Sequence, residues 1–473
     1  MYFIRCRDRV GCGMKSKPGL LVSSLVIANF LAQLMQTMLN TALPRIMQDL
    51  GIDESRAQWL VTIYFLVAGI TVPVAGFLVG RFTTRALFFT SAGSFAAGTL
   101  LAAMSPDFGL ILAGRMIQGI GAGLLMPLFQ TTVLRVFPKE RIGSAMGLIG
   151  LVMGLAPALG PTLSGLVVQE HSWRILFYAL LPIVAANLLL ASFSLKNVGE
   201  PHQAKLDLRS ILYSTVGFAG LMYGVNRAGE QGNSRLITWA FILGGIIIIV
   251  LFIHRQLKLT VPLLDFNLFR NRRFTQSTII GVLMFIVMAG VELLLPLYAQ
   301  NVRGLTPRMS GMMLLPGAVL LGVTSMISGR LYDRYGIKLI IRGGFSLISV
   351  ITLLLTLLLS ANASMILLAI VYALLMVGIG FIMTPVTAFA MASVPVPMIA
   401  HASPMTITIR SLSSSMGGVM LISIMAASMN HASVHFPGNI LQGLLNSFWT
   451  LTGIAAIGLY ISFILKERKA GHS

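Results

Sequence analysis

The sequence predicts an all-α polytopic membrane protein made of two six-helix halves with two further helices inserted between them. The first observation behind this is composition: 56% of residues are hydrophobic, only 10% are charged, and the mean hydropathy is +0.87. Soluble domains carry roughly 25% charged residues. The second is a succession of apolar runs, each of about the length that crosses a bilayer. The third is a short glycine- and arginine-bearing loop that follows the second run and returns after the tenth. A plain six-plus-six chain would repeat such a loop six spans later, so a separation of eight implies an inserted pair.

Taken in order, the runs cover residues 19–40, 57–79, 87–104, 109–133, 143–168, 175–195, 211–228, 236–253, 274–298, 310–329, 339–360, 365–390, 405–428 and 444–465. This divides the chain into a tail (1–18), an N-terminal six-helix half (19–197), the inserted pair with its loop (198–272), a C-terminal half (273–465) and a second tail (466–473). An even number of spans puts both termini on one side. Of the 34 Lys and Arg, 26 fall in segments on that side, Arg410 among them, and 7 in the opposite loops. Arg115, deep inside a span, completes the 34. By the positive-inside rule both termini are then cytoplasmic, in a multi-pass protein of the cell membrane. The formal charge of +20 is thereby a topology signal and gives no reason to expect a nucleic-acid partner. Cys6 and Cys12 lie together in the N-terminal tail and form neither a disulfide framework nor a recognisable metal site. The basic tail lacks a small-residue cleavage site after its apolar run, so that run reads as the first span rather than a removable signal. Met14 begins a more ordinary start for a membrane protein, and residues 1–13 are assigned no role.

The fifth run is unusual. Within an uncharged span it holds Gly143, Gly147, Gly150, Gly154, Gly160 and Gly165, with Pro157 and Pro161. Prolines free carbonyls that lipid cannot satisfy, and glycines let backbones approach, so the run is expected to be a buried packing helix.

The repeated loops carry a motif. The first reads Gly76-Phe-Leu-Val-Gly80-Arg81-Phe-Thr-Thr-Arg85, and the second reads Gly329-Arg-Leu-Tyr-Asp333-Arg334-Tyr-Gly336-Ile-Lys338. The pattern resembles the G-x-x-x-D-R-x-G-x-[RK] signature of the major facilitator superfamily. The fourth span, with Gly114, Arg115, Gln118, Gly119, Gly121 and Gly123, is similar to that superfamily's R-x-x-Q-G-x-G-x-G signature. The fifth span, through Gly150, Gly154, Pro157, Gly160, Pro161 and Gly165, resembles the signature of its drug:proton antiporters. With the run from Gln36 to Pro44, the chain is identified as similar to the fourteen-helix drug:proton antiporters, near the lincomycin-resistance type. The resemblance implies a major facilitator fold and alternating access. It further implies a monomer driven by the proton gradient without a cofactor, exporting small lipophilic drugs, cations among them. Two departures stand out. The first span has Met35 where the family often has an Asp, and the first loop has Gly80 and Thr83 in place of Asp and Gly. The cytoplasmic gate, formed by Gly76, Arg81, Arg85, Gly329, Asp333, Arg334, Gly336 and Lys338, is then expected to be latched mainly through Asp333.

No phosphate-binding loop G-x-x-x-x-G-K-[ST] occurs, nor does H-E-x-x-H or G-x-S-x-G, so the sequence suggests no ATPase, metallohydrolase or serine hydrolase. An ion-driven carrier needs an acid inside the membrane, and Glu292 is the Asp or Glu set well within a run. Its ionised form costs about 2.5–3.5 kcal/mol near the bilayer centre, less toward an interface. Pro296, four residues on, cannot bond the Glu292 carbonyl and should kink the helix. Glu292 is expected to be either the proton site or an interfacial carboxylate near the outer end of its span. Arg115, with Gln118 one turn on, either biases that acid or is a structural charge satisfied by helix carbonyls. In the first span Asn29, Gln33, Gln36 and Asn40 share one helix face, which either lines a water-filled path or bonds helices together. Together with Gln118 they are the expected substrate-cavity residues. The 27 Met and 26 Phe suit an adaptable pocket for lipophilic and cationic ligands, though no single one is assigned a role. His401, His431 and His435 read as loop-edge residues. Export of an endogenous metabolite or lipid, or a transport-inactive membrane sensor, would use the same fold.

Overall fold

A computed structural model describes residues 18–198, 207–228, 235–259, 262–360, 363–395, 398–430 and 438–464. The tails with Cys6 and Cys12, and His431 and His435, lie outside the described residues. Within them the chain forms fourteen α-helices. These are α1 (Pro18–Leu50), α2 (Glu54–Arg81), α3 (Thr84–Ala103), α4 (Phe108–Val136), α5 (Ile142–Glu170), α6 (Arg174–Ser194), α7 (Leu208–Ala228), α8 (Arg235–Lys258), α9 (Arg272–Asn301), α10 (Pro307–Tyr335), α11 (Lys338–Leu358), α12 (Met365–Ala392), α13 (Ile399–Asn430) and α14 (Gly438–Ile464). Each predicted apolar run falls on one of them. Thirteen are long and apolar enough to cross a membrane, and α7 is the exception. Arg209, Asn226 and Arg227 near its ends lower its hydropathy, and its Ser210 and Ser214 are buried where the helix lies against α8, α2 and α13. Polar side chains on a helix in lipid are tolerated where protein covers them.

Helix starts follow ordinary capping chemistry. Asp53, Thr83, Asp107, Asn271, Thr306 and Ser364 each accept a hydrogen bond from a backbone N–H in the first turn of the helix that follows. Gly336 closes α10 at φ +76°, ψ −172°, a conformation essentially confined to glycine.

The buried apolar side chains form two clusters. One is built on α1–α6, around Phe88, Phe129, Trp173 and Phe177; the other lies in α9–α14, around Tyr298, Phe345, Tyr372 and Phe448. The first cluster also takes in Leu263 and Leu264, which follow the inserted pair, and the adjoining ends of α12 and α13, with Met391, Ile399 and Met405. Polar bonds fasten this region. Gln256 donates to Ser210 Oγ at 2.6 Å and accepts from Leu263 N at 2.6 Å, and Asn271 Nδ2 donates to the Ser393 carbonyl at 2.7 Å. At the mouth of the inserted pair Arg255 bonds Asp207 at 2.7 and 3.0 Å. The hydrogen bond from that guanidinium holds the Asp207 carboxyl at about 2, below the usual carboxylate range. α8 is the outermost helix, with Leu236, Trp239 and Ile247 exposed toward lipid.

The two clusters meet mainly along α5 with α10 and α13 with α2, with α12 also against α5 and α13 against α4. On α5 the glycines recur at intervals of four, three and four, forming a stripe along one face. α10 lies on that stripe in the opposite direction. Gly143 touches the Gly329 backbone, Gly147 faces Met326, Gly150 faces Ser325 and Thr384, and Gly154 faces the Gly322 backbone. A Cβ on Gly154 would stand 2.6 Å from Gly322 N, so the seam closes only without side chains there. Beyond Gly154 the helix turns to another partner: Gly160 packs on Thr37 of α1, and Gly165 lies beside Thr41. α5 thus joins the two halves along its first turns and packs within its own half along its last, with Pro157 and Pro161 in the changeover.

Candidate substrate cavity and gate

A cavity of about 330 Å³ lies between the clusters, within the roughly 300–1,000 Å³ common for small-molecule sites. α1 contributes Asn29, Gln33 and Gln36; α2 contributes Tyr64 and Phe65; Met126, Met153, Met222, Phe218 and Phe285 supply thioether and aromatic wall. α13 supplies Thr408, Arg410, Ser411, Ser414 and Ser415. Three of the four amides predicted on α1 therefore line one cavity. Asn29 is mostly spent on structure, donating to the Leu25 and Leu125 carbonyls at 2.9 and 3.4 Å. Gln33 and Gln36 remain partly exposed. Asn40, one turn further on, is exposed and outside the lining.

Gln118 is turned away from the cavity. It is fully buried, accepts from Arg115 Nη1 at 2.8 Å and donates to Thr99 Oγ1 at 2.8 Å. Arg115 is equally buried; its Nε donates to the Leu60 carbonyl at 3.0 Å, and its guanidinium stands 4.2 Å from the centroid of the Tyr64 ring. Tyr64 in turn donates to the Ala32 carbonyl at 3.0 Å. One face of that ring meets the charge and another the cavity, so Arg115 ties α1, α2, α3 and α4 together without lining the substrate space. Arg115 thus bonds one helix carbonyl and the Gln118 amide, while its Nη2 is buried without a hydrogen-bond partner among the described residues.

Glu292 is seven residues beyond Phe285 on α9, nearly two full turns, and so shares the face that borders the cavity. Its side chain is exposed. It stands about 10 Å further along the axis, on the side away from the Gly143 end. Its carboxyl is near enough to Tyr372 of α12 to interact electrostatically. Among the described residues the ion pairs are Arg45–Asp49 at 3.7 Å and Arg255–Asp207 at 2.7 Å, so neither Glu292 nor Arg115 is in one.

The end of the bundle at Gly143 is closed by Asp333. Its carboxylate accepts from Gly143 N at 2.7 Å, Ser144 N at 2.8 Å and Ser144 Oγ at 2.6 Å. An acid on one half therefore caps the first helical turn of the other, satisfying N–H groups that α5 leaves open and meeting the positive end of its dipole. The first loop has no counterpart. Gly80 faces open space, while a Cβ added to Gly76 would stand 3.2 Å from the Ala400 carbonyl oxygen and 3.1 Å from Pro404. Arg85 is used locally, donating to the Ser192 carbonyl at 3.0 Å, and Arg81 and Arg334 stack near Phe77 and Tyr335. Lys338 opens α11, with Ile337 between it and Gly336.

The sequence reading missed Arg410. The sequence places it with the segment before the thirteenth span, but α13 begins at Ile399, so Arg410 is a full three turns inside a helix. The available signal was its company: Arg410, Ser411, Ser414 and Ser415 recur at helical spacing within an apolar run. His401, expected at a loop edge, is likewise helical, with Nδ1 3.2 Å from the Leu263 carbonyl.

Two helical cores around a shared cavity, with a closable seam at one end, define a small-molecule membrane transporter rather than an enzyme. The chain belongs to the Major Facilitator Superfamily, whose model matches residues 25–418. It is 41% identical over 448 residues to the Bacillus subtilis "Uncharacterized MFS-type transporter YcnB", covering 94% of this chain and 95% of that one. It is 35% identical to the Listeria monocytogenes "Lincomycin resistance protein LmrB" over 97% of this chain and 98% of that one. It is 28% identical to the Clostridioides difficile "Riboflavin transporter RibZ" over 94% and 96% respectively. Among solved structures, the human organic anion transporter MFSD10 (TETRAN) has the same fold, with a TM-score of 0.65 at 16% identity, covering 94% of this chain and 99% of that one. The chain is a multi-pass plasma-membrane protein of this superfamily.

Proposed function

We propose that the protein exports small lipophilic drugs by alternating access, exchanging them for inward-moving protons. The observation that carries this is the asymmetry of the two ends. The Gly143 end is sealed by backbone contact and by Asp333, while polar groups run from the cavity past Gln36 to exposed Asn40 and Glu292. With both termini cytoplasmic, the sealed end faces the cytoplasm and the state is open outward. Separation of α5 from α10 and closure over Asn40 and Glu292 would give the opposite state.

Glu292 is the proton site in this reading. It is an acid on the cavity-bordering face, free of any salt bridge among the described residues, and its side chain is exposed. The relatives named for lincomycin resistance support drugs as substrates. The test is transport of a fluorescent drug into inverted vesicles under an imposed proton gradient. Glu292→Gln should lower gradient-driven uptake at least tenfold while leaving drug binding within about twofold. Undiminished gradient-driven uptake would end the assignment.

The relative named as a riboflavin transporter favours a second reading, export of an endogenous metabolite. A drug-susceptibility panel with and without a protonophore separates them. Broad resistance abolished by the protonophore supports the first, and accumulation of a single compound in deletion cells supports the second.

A further inference from the structure

Arg410 is the one charged residue among the described residues that line the main cavity. Its partners there are weak. Nη2 donates to the thioether of Met153 at 3.1 Å, and the guanidinium carbon stands 4.1 Å from the Phe285 ring centroid. A sulfur is a poor acceptor and a ring face attracts charge without taking a directed hydrogen bond. Arg410 is in neither ion pair of the described residues. A guanidinium has five N–H donors, so most of its capacity is uncommitted at the wall of a partly desolvated space. Burying a cation without a counter-charge is unfavourable, and the same low dielectric that makes it so strengthens any anion placed beside it.

The surroundings fit such a guest. Ser411, Ser414 and Ser415 stand on the same face of α13, and Gln33 and Gln36 stand across the cavity on α1. None of these five has a side-chain bond to the described residues, so all remain open to a ligand. We propose that this cavity selects amphipathic organic anions, an aromatic body against Phe65 and Phe285 with its carboxylate, sulfonate or phosphate on Arg410. The inference deepens the exporter reading and rests on it for the cavity's role. It gives the pocket a charge preference opposite to the cations that its aromatic and thioether walls would by themselves attract. A ligand cation would meet a fixed like charge with no carboxylate in the lining to offset it.

The test uses the full chain in zwitterionic lipid nanodiscs and two dyes that differ by one sulfonate, 8-anilinonaphthalene-1-sulfonate and N-phenyl-1-naphthylamine. Fluorescence above that of empty discs gives each Kd. The sulfonate dye should bind at least tenfold more tightly than the neutral one. Arg410→Gln should abolish that preference and Arg410→Lys retain part of it, with an unchanged Tm and elution volume as the check on folding. Equal affinities in the wild type, or a preference that survives Arg410→Gln, overturns the proposal. Should Arg410→Gln fail to fold, displacement of the neutral dye from wild type decides. Tetraphenylborate competing better than tetraphenylphosphonium supports the proposal, and the reverse overturns it. Binding needs no gradient, so loss of proton-driven flux in proteoliposomes would count against the exporter reading and leave the charge preference standing.

Discussion

The two crossings between the halves are built from related sequence and yet seal differently. At α5–α10, glycine meets glycine at Gly143 and Gly329, and the stripe continues to Gly154. At α13–α2, Gly76 meets Ala400 and Pro404, so only one side contributes a glycine. The loops beside them differ in the same sense. Asp333 caps α5 with three hydrogen bonds, whereas Gly80, at the matching position, has nothing near it. Gly336 ends its helix at positive φ, whereas Thr83, its counterpart, sits at φ −68° and caps α3 through its hydroxyl. One crossing is a latch held by charge and close backbone contact. The other is ordinary packing, and alternating access needs a contact that opens rather than two that hold equally.

The largest effect expected is at the latch's closest point. Gly143→Leu would drive a side chain into the Gly329 backbone, where no flexible group can give way, and should lower the transport rate at least tenfold with normal membrane insertion. Transport in vesicles, normalised to protein, checks this; a rate within twofold of wild type would break the comparison. Asp333→Ala comes next. It removes a charge-assisted cap from half-buried groups, and about 2 kcal/mol of preference for the closed seam should go with it. That corresponds to a roughly thirtyfold shift in population, readable as raised labelling by a cytoplasmic thiol reagent of a cysteine in place of Ser325, which is buried in the seam against Gly150. Gly336→Ala forces a side chain into a backbone region that suits only glycine and should cost about 1–3 kcal/mol, seen as a lowered Tm. Gly80→Leu enters open space and should change neither transport nor Tm measurably. A strong effect there would mean that the first loop also latches in the opposite state.

Much of this was legible before any coordinates. Composition and run length marked the spans, because a helix in lipid must be apolar over a fixed length. The departure at Gly80 leaves Asp333 as the one acid of the two repeated loops, and Asp333 takes three hydrogen bonds from Gly143 and Ser144 while Gly80 faces open space. The fifth span read as a packing helix, but its partner was not visible. Its first turns pack on the other half, and it changes allegiance to α1 only after Gly154.

What the sequence by itself determined is the set of helices, the internal repeat, and the small-residue stripe on α5. These rest on local rules: hydropathy, periodicity and the freedom glycine gives a backbone. What only the tertiary structure decided is which polar groups see the cavity. Gln118 reads as a cavity residue in the sequence and Arg115 as a coupling or structural charge, yet they bond Thr99 and the Leu60 carbonyl of neighbouring helices and are sealed in. Arg410 looks like a loop charge, yet it stands at the wall of the cavity against Phe285 and Met153. A charge in a membrane helix needs partners, and the residues that supply them lie far away in the chain. How each helix is rotated about its axis is set by packing against those distant neighbours, which spacing within one span does not encode.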